Sequence, residues 1–260
     1  MTARIDLDRR GDIAVVTIAN PARRNALTVQ LWRALRDIMV SLDAASDCRC
    51  VVLRGAGDTF VAGADISEFE RERSSREQLT RYHEDYVGPC VAAVLECGVP
   101  TVAMIRGACM GGGLEVAAAC DIRIAAPDGR FGIPIARMGF PLAFGEAELL
   151  FKLYGRNVAA ELLLEGRIYD VEAALRVGLV QRVVAAEALE AEAMATAVRI
   201  AAGSPLAARR NKEQLLRLLR DWSPVTAAER ARSYDFADSR DYRIGFEAFL
   251  RKETPVFRGE

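Results

Sequence analysis

The sequence predicts an α/β fold with largely parallel strand connections, and three features carry that prediction. Short β-branched runs alternate with segments whose apolar residues recur at helical spacing. Glycine, proline and asparagine punctuate the junctions. After Gly145 nearly every segment reads as helix, apart from IYD near 168 and the apolar LVQRVV at 179–184. A length of 260 residues accommodates one large domain or two small ones. We expect an α/β core over 1–200 and a helical region over 201–260.

The elements follow in chain order. IAVVTIA at 13–19, bounded by Gly11 and by Asn20 and Pro21, predicts a strand. Leu31, Trp32, Leu35, Ile38, Met39 and Leu42 then repeat at helical spacing behind Thr28, which suits a helix cap. CVVLR at 50–54, PTVAMI at 100–105 and residues 121–126 predict three further strands. A helix begins after the glycine triplet at 111–113. Ser204 before Pro205 is a strong helix start, and from about 187 only helices are expected. The simplest reading of the charged stretch 68–85, EFERERSSREQLTRYHED, is a solvated helical face that could also cover a site.

Composition excludes several classes. Half the residues are hydrophobic and the formal net charge is −1, which favours neither nucleic acid nor an anionic membrane. The segment MTARIDLDRRGD is too charged for a secretory signal, and no apolar run approaches a membrane span, so a cytoplasmic protein is expected. Six cysteines without a CxxC pair read as reduced core residues, and a single histidine, His83, makes a zinc site an unpromising reading. His83 itself reads as a surface residue.

Two loops carry chemistry. FVAGADISEF at 60–69 places Ala62, Gly63 and Ala64 after the second strand, and GACMGGGLEV at 107–116 places three glycines at a helix start after the third. Each glycine in a helix costs about 1 kcal/mol relative to alanine, so the triplet is read as bare main chain that a ligand touches. The first N–H groups of a helix have no intrahelical partner, and two such loops on adjacent strands could form an oxyanion hole. Glu115, among Leu114, Val116 and alanines, is a candidate general acid or base. A phosphate loop is excluded because GxxxxGK[ST] is absent; the dinucleotide fingerprint fails at Val116 and lacks its acidic residue.

FVAGADISEF, PTVAMIRGACMGGGLEVAAACDIRIA and EGRIYDVEAALRVGLVQRVV, in that order, resemble the enoyl-CoA hydratase/isomerase (crotonase) family. NPARRNALT, GSPLAARRNK and GFEAFLRKETPVFRG extend the resemblance over nearly the whole chain. It implies a crotonase-like spiral of ββα units with a C-terminal helical trimerisation region, as a trimer or dimer of trimers. The implied ligand is an acyl-CoA thioester, with coenzyme A part of the substrate and no separate cofactor. The amides of Ala64 and Gly112 match the pair that binds the thioester oxygen, and Glu115 matches the first catalytic glutamate. Arg23, Arg24, Ala62, Asp65 and Ile66 fall where the family contacts CoA, and Lys252 and Phe257 where a neighbouring subunit approaches it. The segment FGIPI departs from the family's second acid, placing Ile135 there. Glu146 could replace that acid, though capping a helix is its simpler reading. Hydration of a 2-enoyl-CoA leads the expected activities. Isomerisation, decarboxylation and acyl-CoA binding without turnover stand as alternatives.

Overall fold

The computed structural model describes residues 2–260 as two sheets wrapped by helices. β1 (Arg4–Arg10) and β2 (Ile13–Ala19) form an antiparallel hairpin turned at Gly11, whose φ of 66° suits glycine. The charged opening segment is therefore an edge strand, with its polar side chains in solvent. β3 (Cys50–Gly55), β4 (Thr101–Ile105), β6 (Ile122–Ala125) and β9 (Arg182–Val183) extend β2 in parallel, giving the order β1-β2-β3-β4-β6-β9. A smaller sheet joins β5 (Ala108–Met110) parallel to β7 (Arg130–Gly132), with β8 (Ile168–Asp170) antiparallel beside it.

Both faces of the large sheet are buried, which is why its strands read as continuous apolar runs rather than as alternation. Ala14, Val16, Ile18, Val51, Leu53 and Ala103 face one core. That core is covered by α1 (Val29–Ala44), α4 (Gly88–Glu96) and α5 (Gly112–Ala119). Ile13, Val15, Cys50, Val52 and Val102 face the other. There the alanines of α8 (Leu189–Ala201), Ala193 and Ala197, let the helix lie close on the sheet. Thr28 caps α1 by accepting from Leu31 N, as its sequence position implies. All six cysteines are buried free thiols, and burial pushes Cys50 up to about 12.

Residues 66–96 depart from a plain solvated helix. They form a short 3-10 turn, α2 (Phe69–Glu72), α3 (Arg76–Arg81) and a π-helical turn at Tyr82–Val87 that runs into α4. Tyr82 and Tyr86 are buried, and Tyr82 Oη accepts from Trp32 Nε1 at 3.0 Å. The inner side of this stretch thus belongs to the core, and only its outer side is solvated.

Past β7 lie α6 (Phe144–Ala160), α7 (Val171–Arg176) and β9. After α8 come α9 (Pro205–Arg220), α10 (Ala227–Arg232) and α11 (Arg240–Arg251). Ser204 caps α9 and Pro205 opens it. Lys212 fixes α9 to the sheet: its buried Nζ lies 2.7 Å from Asp121 Oδ2 and 3.2 Å from Val99 O. Trp222, Phe249 and Leu250 of this region are exposed. Among the described residues, no helix is long and apolar enough to cross a membrane.

Candidate active site

Backbone pairing brings the two glycine-bearing loops together. Val61 N donates to Ala108 O at 2.9 Å, and Met110 N donates to Val61 O at 2.9 Å. Beyond it, Leu27 N donates to Gly63 O at 2.8 Å and Asp65 N to Leu27 O at 2.9 Å. Because successive amides of an extended segment point to opposite sides, the Ala64 N–H between these two bonds faces away from Leu27. Among the described residues it finds no backbone acceptor. In the other loop, Gly111 adopts φ 50° and its carbonyl accepts from Leu114 N and Glu115 N. The Gly112 amide opens α5 with no partner among the described residues.

The triplet's composition has a packing cause at two of its three positions that the sequence alone does not show. A Cβ on Gly113 would overlap the Val61 carbonyl oxygen and lie 2.7 Å from Val61 Cβ; one on Gly112 would lie 2.7 Å from the Trp32 ring. At both positions the atoms that exclude a side chain belong to this chain. The glycines let the start of α5 press against Val61 and Trp32, and that closeness sets the free amide of Gly112 beside the segment carrying Ala64.

One turn into α5, Glu115 is buried and its carboxylate has no hydrogen-bond partner among the described residues. Burial holds its proton well above the usual carboxyl range, the nearby charge of Glu146 adds to the rise, and Arg73 opposes it. Glu146 stands in the first turn of α6, yet it caps nothing: it is buried, and its Oε1 lies 2.9 Å from His83 Nδ1. Its Oε2 is buried without a partner. This corrects the reading of Glu146 as a helix cap and of His83 as a free surface residue; the ring is mostly buried and bound to the carboxylate. His83 and Glu146 also line a cavity of about 240 Å³ between α4, α6 and α9. Ile135, on the 3-10 turn Pro134–Met138, packs against the main core and offers no proton.

Arg73 is the second group that sequence reasoning passed over. Its guanidinium lies 4.1 Å from the Phe69 ring centroid, 4.7 Å from Phe140 and 4.9 Å from Tyr82. Phe69 and Arg73 stand four residues apart, a spacing that puts both on one helical face and was the available signal. Tyr82 and Phe140 arrive from distant segments, and no local pattern announces them.

The residues matched to CoA contacts fall into two groups. Arg23 and Arg24 are exposed on the turn after β2, with Arg24 left-handed at φ 51°; Ile66 is exposed and Ala62 half-buried nearby. Asp65 is buried, its Oδ1 accepting from Ser67 N and Oγ, so its carboxylate serves the turn that follows Ala64. Lys252 and Phe257 lie at the far end of the chain, where Phe257 O accepts from Arg49 Nη2 at 2.7 Å.

Comparison with known proteins matches residues 8–260 to the sequence model of the enoyl-CoA hydratase/isomerase family. The chain belongs to that family. It is 32% identical over 249 residues to the short-chain-enoyl-CoA hydratase of Clostridium acetobutylicum, spanning 95% of this chain and 94% of that protein. A crystal structure described as an enoyl-CoA hydratase/carnithine racemase from Magnetospirillum magneticum shares 43% identity and a TM-score of 0.96, covering 100% of this chain and 97% of its own. The enoyl-CoA hydratase of Bacillus anthracis shares 29% identity with a TM-score of 0.91, over 98% and 99%. The fold is the crotonase fold of these neighbours, mixed α/β with a helical carboxy-terminal region.

Proposed function

We propose that this family member, which acts on CoA thioesters, is a lyase that adds water to a 2-enoyl-CoA. The amides of Ala64 and Gly112 hold the thioester oxygen and stabilise the enolate that forms as water adds at C3. Glu115, which keeps its proton in the buried site, delivers it to C2. Glu146 takes the proton released by the water: His83 occupies Oε1 and leaves Oε2 free to accept. One proton is given and one received, so the two carboxyl groups exchange states and reset through solvent. The observation that carries this reading is Glu115, a buried carboxyl without a partner on a helix that opens at an unpaired amide.

Arg23, Arg24, Ala62, Asp65 and Ile66 are placed in the proposal along the CoA path, with Lys252 and Phe257 reaching a neighbouring subunit's CoA. The exposed Trp222, Phe249 and Leu250 support a homotrimer or dimer of trimers assembled through residues 201–260, around the 1–200 core. The proposal needs no cofactor beyond the substrate's own CoA, no nucleic acid and no membrane, and a cytoplasmic location suits it.

Incubation with crotonyl-CoA tests it: loss of the conjugated thioester absorbance supports hydration, and its abolition by Glu115→Gln supports the role of that residue. Ile135, standing where the resemblance places a second acid, favours a second reading in which Glu115 alone shuttles a proton. That isomerase would raise conjugated absorbance from a 3-enoyl-CoA and leave crotonyl-CoA untouched. Decarboxylation would consume a malonyl-type thioester. A binding homologue would retain acyl-CoA and change neither spectrum.

A further inference from the structure

Arg73 is held by three rings from separate segments of the chain: Phe69 on α2, Tyr82 on the π-helical turn and Phe140 ahead of α6. Phe69 and Phe140 meet edge to face, with centroids 6.4 Å apart, so the cage walls support one another. Rings packed round a guanidinium attract its charge through their π faces and restrict its movement without offering it a carboxylate or carbonyl acceptor. Arg71, two residues earlier, spends its edges on Glu68 and Glu72. Arg73 has no carboxylate within 4.0 Å, and none of its N–H groups donates to a described residue. None of its nitrogens is sealed from solvent, so the unpaired N–H groups stay open to a ligand's acceptor. The hydroxyl of the Tyr82 ring beneath it accepts from Trp32 Nε1, and the Trp32 ring packs under Gly112, which sets the guanidinium on the side of the site where α5 begins; Glu146 and Glu115 act on it through their charge.

We propose that Arg73 receives a carboxylate carried on the acyl group, so that the preferred ligand is the mono-CoA thioester of a dicarboxylic acid. The inference rests on the acyl-CoA reading above and names the substrate class of that same pocket. A bidentate guanidinium–carboxylate pair needs a planar donor fork held in place; the three rings restrict the guanidinium, and its N–H groups donate to no described residue. An acyl group bearing a cation is disfavoured for the same reason: the aromatic box that would suit it is already filled by this chain's own guanidinium. A purely aliphatic acyl chain would leave Arg73 unpaired when it closed the pocket to water.

The test is calorimetric titration with saturated thioesters, which bind without turnover: succinyl-, glutaryl- and adipyl-CoA against butyryl-, pentanoyl- and hexanoyl-CoA. The native protein is expected to prefer at least one dicarboxylic thioester by about tenfold to a hundredfold, the range for a hydrogen bond to a charged group. Arg73→Met should erase the preference, with thermal melting showing that the variant folds; Arg73→Lys should keep part of it. An Arg73 that only supports Glu115 electrostatically would change turnover and leave this binding ratio unmoved. Equal binding of the two series by the native protein, or a preference that survives Arg73→Met, overturns the inference and spares the acyl-CoA reading. Binding of neither series overturns both.

Discussion

Replacing Glu115 with methionine should stabilise the unliganded protein while abolishing proton transfer. Glu115 is 3% exposed and no described residue donates to it or accepts from it. An unpaired buried polar group costs about 1–3 kcal/mol, and methionine fills a similar volume without that cost. Each kcal/mol moves the melting temperature of a domain this size by about 2–4 °C, so a rise of about 2–12 °C is expected. The gain also depends on pH. Burial, then Glu146, raise the carboxyl pKa in the folded state well above the unfolded value near 4.5. Above that unfolded value the folded chain holds a proton that the unfolded chain has released, so native stability falls as pH climbs until it passes the folded pKa. The advantage of the methionine variant is therefore smallest at acid pH and widens toward the alkaline side. Scanning calorimetry of both proteins from about pH 5 to pH 9 reads this directly. A pH-independent gap, or a variant less stable throughout, would refute the placement of Glu115 as an unpaired buried acid.

Gly113→Ala should overpack the contact with Val61, costing about 1–3 kcal/mol. By spreading the two loops it should also lower kcat on crotonyl-CoA about a hundredfold, the usual effect of losing one oxyanion donor; melting and kinetics measured together check it. His83→Phe removes the donor to Glu146 Oε1 and should reduce kcat far more than KM, whereas His83→Gln, which keeps an N–H, should recover part of the loss. Arg123→Met strips the carbonyls at the end of α5, from Ala118 and Cys120, and that of Leu179 of their shared donor. It should lower the melting temperature by about 6–12 °C, corresponding to about 3 kcal/mol of charge-assisted hydrogen bonding.

The parallel strands were legible because both of their faces are apolar, so β-branched composition alone marks them; Thr28 and Ser204 were legible because caps act through the next three residues. β1 was not, since an edge strand needs only one half-buried side and tolerates Arg9 and Asp8. β5 and β7 are three residues long, too short to show a period. For the candidate site, the two donor loops and Glu115 stood in two compact segments and were legible as residues, while Ala64 and Gly112 were singled out within those loops through the family resemblance. His83 and Glu146, by contrast, are 63 residues apart in sequence and meet only once the fold brings the π-helical turn to the start of α6. Counting histidines near the glycine loops could not find that pair, because the π-helical turn that presents His83 belongs to a stretch whose charge content points to solvent.

In the proposed lyase, Ile135, standing where the resemblance expects an acid, and the carboxylate at 146 are better understood as one arrangement than as two departures. Ile135 packs against the main core and offers no proton. Glu146 stands instead at the first turn of α6, where the helix macrodipole favours a carboxylate, and its orientation is fixed from behind by an imidazole that also borders an outer cavity. With Oε1 engaged by His83, Oε2 is the oxygen left without a partner, the one the proposed step would use. Arg73 lies close enough for its charge to act on both Glu115 and Glu146, so whichever ligand pairs with it changes the field at both proton-handling groups at once. If Arg73 pairs with an acyl carboxylate as proposed, the acyl group's own charge enters the electrostatics at Glu115 and Glu146, and the proposed substrate choice and proton transfer are coupled through the same three side chains.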